Sequence, residues 1–476
     1  MRKRSDLIAV LCILFLAFSM AVKTFTVNGE NMETDVVSGE FLIGVREMNE
    51  TLIASVEKNG FEVVKRIDQI NVLVVKARNG VSVEASIKSL LDSQSIRYIE
   101  PNYIVKMTPM KVVEVIEDKG LQTSQESRSS PNDPFWFTDP LFGIGQWNMR
   151  VIDADKAWGV EKGNHTVIVA VIDTGVRRTH HDLDANYIAI GYDWVNDDND
   201  PDDDNGHGTH VAGIIAAETD NGYGIAGLAQ VSIMAEKVLN ERGYGTVDNL
   251  ILGIIHAADS GADILNLSLG TYEYSSALED AVNYAYDKGC VMIAAVGNDN
   301  TDRPHYPAAL SKVIAVASTY GEPNDVRAPY SNYGSWVTVS APGGYEGYYV
   351  LSTYNQSDDA FAYVYGTSQA TPHVSGLAAL YKSLHPTATN KEVEEAIERG
   401  VEDKGKEGWD ELYGYGRVNA YRTLVTIPVT SVGGEGEIVY LQGRLNQPVY
   451  LALLTSLVAV ALLTVKKALN LHLPRK

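Results

Sequence analysis

The sequence contains very few cysteines. Two cysteines, Cys12 and Cys290, occur among 476 residues, and Cys12 lies in an apolar N-terminal segment that we expect to be removed. The mature chain then retains one thiol and cannot close an internal disulfide. Stability outside the cell must therefore come from packing or from bound metal ions.

Basic residues are also scarce relative to acidic ones. The chain has 39 Lys and Arg against 61 Asp and Glu, a formal net charge of -22. Because binding to phosphate backbones depends on Lys and Arg displacing counterions, nucleic acids are excluded as expected partners, and cationic ligands are favoured. A hydrophobic content of 45% excludes global disorder, and the length leaves room for two or three globular units.

Long uncharged apolar runs occur near the two ends of the chain. Basic residues precede the run from Leu7 to Ala21, which predicts a secretory signal peptide at residues 1–21. A second run precedes two lysines near the C-terminus. It predicts a transmembrane helix at 448–466 after a spacer at 425–447, with a cytoplasmic tail at 467–476. A buried core helix is the alternative for this segment. We therefore expect a single-pass protein of the cell membrane with its main domain outside, or one released to the extracellular space.

Two globular regions lie between these ends. Residues 40–106 alternate short strands with two helical patterns, which predicts a small α+β domain. Residues 107–130 lose apolar periodicity and predict an exposed linker with a processing site. In residues 131–424, short apolar runs alternate with helical patterns. They predict an α/β fold in which a mostly parallel sheet is covered by helices on both faces.

Three polar residues of this larger domain stand where functional side chains gather. Asp173 ends an apolar strand in VIDTGV, His207 lies between two glycines in NGHGTHVAG, and Ser368 follows a glycine-led turn in GTSQATPHVSG. Each has an ordinary structural alternative: a turn, a satisfied histidine and a capping serine. Together they are the set that acyl transfer needs, namely a nucleophile, a base and a carboxylate that orients the base. His210 has no carboxylate at metal-ligand spacing and is expected to be structural.

In these motifs and their order, the chain resembles the subtilisin-like serine proteases (subtilases) over most of residues 131–424. The resemblance implies that Asp173 orients the imidazole, His207 is general base and then acid, and Ser368 attacks the scissile carbonyl. It implies that Asn298 in AAVGNDN donates to the oxyanion. One departure is Gln369, which stands where the family usually has Met.

The same resemblance implies an extended binding cleft and a first side-chain pocket. Substrate would lie as a strand between two backbone segments and fill pockets beyond them. For His305, a surface-loop position is the alternative. The residues implied in substrate binding are Gly243, Gly245, Ser268, Leu269, Gly270, Ala295, Gly297 and His305.

One cluster of oxygen-bearing residues predicts a calcium site, and the family resemblance implies a second site. Near-alternate carboxylates in YDWVNDDNDPDDDNG suit a hard cation, and the loop resembles the calcium loop of thermitase-like subtilases. A solvated acidic loop is the alternative. The predicted ligands of this loop are Asp193, Asn196, Asp198, Asp200 and Asp202. Asp182 and Asn221 match the strong calcium site of the family.

Residues 40–106 resemble the subtilase inhibitor propeptide, which implies a ferredoxin-like α+β domain whose tail RYIEPNYIVK lies in the substrate cleft. An ordinary accessory domain is the alternative. We expect a calcium-stabilised, self-processing serine endopeptidase whose partners are polypeptide substrates, its own propeptide and the membrane. A narrow-specificity maturation protease and a catalytically silent binding scaffold are the competing hypotheses.

Overall fold

The computed structural model describes residues 35–118, 130–323 and 325–426. The predicted signal peptide, spacer, transmembrane helix and cytoplasmic tail lie outside these ranges.

The N-terminal domain has the strand and helix order of a ferredoxin-like fold. Its antiparallel sheet has the order β4-β1-β3-β2. Side-chain caps start both helices, Asn49 for the first and Ser82 for the second. The elements are β1 (Val36–Val45), α1 (Glu50–Lys58), β2 (Phe61–Ile67), β3 (Val72–Ala77), α2 (Val83–Leu91) and β4 (Ile96–Met107).

The two faces of this small sheet bury different surfaces because side chains alternate along a strand. Phe41 and Leu73 pack against α1 and α2. Leu42 and Val74 belong to a core that also contains residues of the larger domain. The N-terminal domain is therefore packed against the larger domain through the sheet face opposite its helices.

The larger domain has an eight-stranded sheet in the order β14-β13-β12-β10-β6-β8-β7, with β15 paired to β13. All pairs are parallel except β13 with β14. Its strands are β6 (Ile168–Asp173), β7 (Tyr192–Asp193), β8 (Ser232–Lys237), β10 (Ile264–Leu267), β12 (Val291–Ala295), β13 (Val313–Tyr320), β14 (Val326–Arg327) and β15 (Val339–Pro342).

Helices cover both faces of the sheet. Val171 of β6 shares one core with the helices starting at His207 and Thr367, whereas Ile172 shares the opposite core with the helices starting at Val247 and Ser276. The predicted α/β class is confirmed. The helices are α3 (Trp147–Val151), α4 (Ala154–Ala157), α5 (His207–Ala216), α6 (Val247–Asp259), α7 (Ser276–Asp287), α8 (Thr367–Leu384), α9 (Asn390–Gly400) and α10 (Ala420–Val425).

Short strands outside the main sheet join the two domains. β9 (Tyr244–Thr246) and β11 (Leu269–Gly270) both pair with β4 of the N-terminal domain. β16 (Val350–Thr353) and β17 (Ala360–Tyr365) form an antiparallel pair that β5 (Lys111–Glu117) extends to three strands.

β5 lies within the segment predicted to be an exposed linker, residues 107–130. That interpretation is wrong for residues 111–117, because this apolar stretch finds a strand partner that is distant in sequence.

Candidate active site

The three residues expected to form a catalytic triad are buried and lie at element ends. Asp173 is the last residue of β6, His207 the first of α5 and Ser368 the second of α8. The sheet and the two helices belong to one core. A strand end and two helix starts thus present the polar groups, in keeping with the edge of a parallel sheet where active sites form.

Asp173 and His207 are in direct contact. The Oδ1 atom of Asp173 lies 2.6 Å from Nδ1 of His207 and accepts the backbone N–H of Thr174 at 2.7 Å. A carboxylate at Nδ1 favours the proton on that nitrogen and leaves Nε2 free to accept one. Among the described residues, Nε2 of His207 has no hydrogen-bond partner.

The loop before His207 is organised by Asp203, a residue that no sequence motif marks as functional. Its buried carboxylate accepts hydrogen bonds from the Thr209 N–H and hydroxyl, the Thr174 hydroxyl and the Gly206 N–H. Asp203 therefore ties β6 to the start of α5. In the sequence it stands within a run of aspartates, which conceals this role.

The hydroxyl of Ser368 is bonded to the chain itself. Its Oγ donates to the carbonyl oxygen of Thr108 at 3.1 Å. Thr108 follows β4 directly, so the segment leaving the N-terminal domain lies over this serine. The sequence does not mark Thr108 or Pro109 as site residues, because only the tertiary structure places them at the active site.

Asn298 lies beside this serine with its amide orientation set by hydrogen bonds. Its Oδ1 accepts from the Thr367 N–H at 2.9 Å and from the Thr367 hydroxyl at 2.8 Å. Its Nδ2 is consequently directed to the cleft and donates to the Pro109 carbonyl at 2.6 Å. An amide N–H held in this way is ready to stabilise negative charge on a carbonyl oxygen.

The segments expected to bind substrate backbone instead hold the tail of the N-terminal domain. β4 lies between β9 and β11 and is antiparallel to both. The observed contacts are Gly245 with Val105, Gly270 with Lys106, Leu269 with Met107, the Met107 N–H with the Gly243 carbonyl at 2.9 Å, and the Thr108 N–H with the Ser268 carbonyl at 3.1 Å.

The residues expected around the first side-chain pocket lie close together. Nδ1 of His305 is 3.1 Å from the carbonyl oxygen of Ala295, and a Cβ on Gly270 would meet the His305 ring at 2.4 Å. Gly297 has φ of +101°, which favours glycine. Burial lowers the pKa of His305 to about 4, so its imidazole is neutral at neutral pH. His305 is buried, which excludes the surface-loop alternative.

His210 shows the environment of a structural histidine. It is buried, its Nε2 lies 3.1 Å from the Ala362 carbonyl oxygen, and burial lowers its pKa to about 3.

Asp182 and Asn221, expected at one calcium site, are in contact. The Asn221 amide donates to Asp182 at 2.8 Å, and the Ile225 N–H donates to the other carboxylate oxygen at 2.9 Å. Burial raises the pKa of Asp182 well above its usual value. Asp133, missed from sequence, is also buried and adds to this effect; burial raises its own pKa to about 7.

In the acidic loop expected at a second calcium site, most carboxylates accept hydrogen bonds from groups of the loop itself. Asp193 accepts the Asn196 backbone N–H at 2.9 Å and its side-chain amide at 2.8 Å. Asp198 accepts the Asp200 N–H at 2.9 Å, and Asp200 forms an ion pair with Arg178. Burial raises the pKa of Asp202. Across the described ranges, no group of three or more His, Cys, Asp or Glu side chains has an arrangement that would hold a metal ion.

The chain is similar to curated serine proteases and to a solved structure. It is 41% identical over 344 residues to a thermophilic serine proteinase of Bacillus sp. (strain AK1). The aligned region covers 72% of this chain and 76% of the relative. It is 43% identical over 296 residues to thermitase of Thermoactinomyces vulgaris, covering 62% of this chain and 99% of thermitase. The crystal structure of fervidolysin from Fervidobacterium pennivorans superimposes with a TM-score of 0.71 at 29% identity, covering 84% of this chain and 63% of that one.

The predicted location in the cell membrane is wrong. In the part of the chain that the structure describes, no helix is both long enough and apolar enough to cross a membrane. Two further relatives are named as extracellular proteases, one from Bacillus subtilis (strain 168) and one from Natrialba magadii. The segment predicted to span the membrane lies outside the described residues.

Two family models match the chain. The fervidolysin N-terminal prodomain matches residues 24–102, and the subtilase family matches residues 164–416, which is more than half of the chain. These two matches agree with the two domains of the structure and with the pairing of β4 with β9 and β11 at the cleft. The protein is therefore a serine endopeptidase that belongs to the subtilase family and carries an N-terminal prodomain.

Proposed function

We propose that Asp173, His207 and Ser368 are the catalytic triad of this endopeptidase and that the described chain is its self-inhibited precursor. One observation carries the proposal. Asp173 and His207, which lie 2.6 Å apart, and Ser368 stand on β6, α5 and α8, three elements that pack in one core, and the Ser368 hydroxyl donates to a backbone carbonyl of the segment lying in the cleft.

In the proposed reaction, His207 takes the proton of the Ser368 hydroxyl as this oxygen attacks the scissile carbonyl. Asp173 holds the imidazole in the required tautomer and stabilises the imidazolium that forms. His207 then protonates the leaving amine, and water releases the acyl group by the same steps in reverse order.

Asn298 is proposed to stabilise the oxyanion together with the Ser368 backbone N–H. The start of α8 adds a favourable field, because the positive end of the helix dipole lies at its N-terminus. In the precursor the Asn298 amide binds the Pro109 carbonyl, one residue beyond the carbonyl that Ser368 contacts. This offset supports an inhibitory rather than a reactive pose for the segment.

The prodomain is proposed to inhibit by occupying the substrate cleft with its last strand. β4 fills the space between β9 and β11, and Glu100 further fixes the domain by accepting the N–H groups of Ser276 and Ala277 at the start of α7. Activation then requires cleavage in the segment between roughly residues 106 and 131.

The deciding experiment compares the full-length chain with Ser368→Ala. The variant is expected to stay uncut and to be inactive on a denatured protein substrate, while wild type releases the prodomain. Ser383→Ala is the matched control, since it lies on the same helix and, among the described residues, its hydroxyl donates to the Ala379 carbonyl. A Ser368→Ala chain that still processes itself, measured by intact mass and N-terminal sequencing, would contradict the proposal.

The breadth of specificity separates a general protease from a narrow maturation protease. Cleavage of a denatured protein at many sites favours the general enzyme. Cleavage of the same denatured protein at only one or two sites favours the maturation enzyme. This comparison is made under conditions in which the enzyme's own precursor is completely processed.

Calcium is proposed to stabilise the folded enzyme. The chemistry of the donor set supports this for Asp182, Asn221 and the neighbouring Asp133, because hard oxygen ligands suit calcium and a bound cation would offset the burial that raises the pKa of both carboxylates. Asp193, Asn196, Asp198, Asp200 and Asp202 are the proposed donors of a second site. A bound cation there would have to replace the hydrogen bonds within the loop and the ion pair of Asp200. Metal bound only by the folded state would add stability by mass action.

A further inference from the structure

Strand β5 lies on the side of the cleft that would bind substrate residues C-terminal to the cleaved bond. β5 pairs antiparallel with β17, and β17 ends at Tyr365, three positions before Ser368. The paired positions are Lys111 with Tyr365, Val112 with Val364, Glu114 with Tyr363, Val115 with Ala362, Ile116 with Phe361 and Glu117 with Ala360.

β4 and β5 form one path across the active site. β4 ends at Met107, and the Thr108 carbonyl contacts Ser368. The Pro109 carbonyl contacts Asn298, and β5 begins two residues later at Lys111. Three residues, 108–110, thus link a strand on the acyl side of the nucleophile to a strand on its leaving-group side. The chain occupies both halves of a substrate-binding track.

Side chains of β5 add an apolar contact to the backbone pairing. Val113 and Ile116 pack against a cluster that contains Phe135, Phe361 and Tyr363. Glu114 and Glu117 are exposed. The strand therefore combines main-chain pairing, in which the register shifts at Val113, with two apolar contacts to one cluster, as added strands do in peptide recognition.

We propose that the edge of β17 opposite β16 is an extended binding site for the leaving-group side of polypeptide substrates, and that β5 is its built-in occupant in the precursor. The ligand is an extended segment that begins at the third residue after the cut bond. It carries apolar side chains at the fifth and eighth residues, the places of Val113 and Ile116 when Thr108 precedes the cut. This inference rests on the proposed function, because it uses Ser368 as the nucleophile.

The physical reason is that β17 has β16 on one edge and β5 on the other. When β5 leaves, the backbone groups of β17 that face it lose their partners and become a template for another strand. Backbone pairing accepts many sequences, whereas the cluster around Phe361 favours apolar side chains at two positions.

The test uses mature wild-type enzyme and two peptides. Both contain IVKMT on the acyl side of the expected cut, and Ala-Met follows directly after the cut. The short peptide ends there, and the long one continues with KVVEVIE. The long peptide is expected to show kcat/KM higher by on the order of tenfold. Methylation of alternate backbone nitrogens within KVVEVIE is expected to remove this gain.

Equal kcat/KM for the long and short peptides would overturn the β17 proposal while leaving the proposed function intact. Cleavage of neither peptide by an enzyme that also fails on denatured protein would contradict the proposed function itself.

Precursor variants give a second, independent readout. Val113→Asp with Ile116→Asp is expected to speed self-activation several-fold, because charged groups cannot remain against the apolar cluster. The matched control is Glu114→Gln with Glu117→Gln on the exposed side of the same strand, for which no change is expected. Identical activation rates for the two double variants would count against β5 as an occupant of a substrate track.

Discussion

Removal of the Asn298 amide is the sharpest test of the proposed oxyanion site. In the structure both hydrogen bonds to its Oδ1 come from Thr367, so its Nδ2 is free to face the cleft. In Asn298→Ala, the donor that would meet the developing oxyanion is lost. Loss of one such donor in a subtilisin lowers kcat by about 100- to 1000-fold, or about 2.7–4 kcal/mol, and we expect the same range here.

KM should remain within about threefold of wild type, because the bond to the oxyanion strengthens only in the transition state. The assay is steady-state hydrolysis of the long peptide by mature enzyme. Thr367→Val is the control, since it removes one of the two bonds that orient the amide but leaves the donor; we expect a loss of about fivefold, near 1 kcal/mol. An Asn298→Ala enzyme that keeps more than about a tenth of wild-type kcat would refute the reasoning.

Three further predictions concern stability and processing. Excess chelator should lower the Tm of wild type, and Asp182→Asn should show a smaller response in the same thermal scans; equal responses would argue against calcium at Asp182. Burial and the neighbouring carboxylates Glu394 and Glu395 raise the pKa of Glu398 to about 7, so the folded state retains a proton that the unfolded state loses, and stability falls as pH rises through this range. Glu398→Gln should therefore raise Tm at about pH 8.5 and leave it unchanged at about pH 4, whereas a uniform change at both pH values would reject this origin. Pro109→Ala should speed cleavage after Thr108, because the proline ring crowds the leaving nitrogen; an unchanged yield of the fragment ending at Thr108, by mass spectrometry, would contradict this.

Much of the fold was predictable because each element carries a local signal. The strands of the main sheet are buried on both faces, so that even adjacent residues such as Val171 and Ile172 are both apolar. In the prodomain the alternation of Phe41 and Leu42 marks a sheet with two different buried faces. The linker interpretation failed at residues 111–117 because the partner strand lies about 250 residues away and leaves no local trace.

The sequence motifs point to candidate residues for the site but not to the state of the site in this chain. The motifs around Asp173, His207 and Ser368 name the residues that acyl transfer needs. They do not show that the Ser368 hydroxyl is bonded to Thr108 in this chain. The carboxylates of Asp203 and Asp133 were missed because an aspartate in a loop looks the same in sequence whether it is solvated or buried.

By itself, the sequence determined the two domains, the α/β class, the candidate triad and the acidic loop, because these follow from periodicity, residue chemistry and spacing along the chain. The tertiary structure alone decided which segment occupies the cleft, which carbonyl meets Ser368 and Asn298, and which edge β5 covers. Those outcomes depend on contacts between residues more than 100 positions apart in the chain, such as Thr108 with Ser368 and Pro109 with Asn298. Such pairings are selected by the packing of whole domains, which no local pattern of residues encodes.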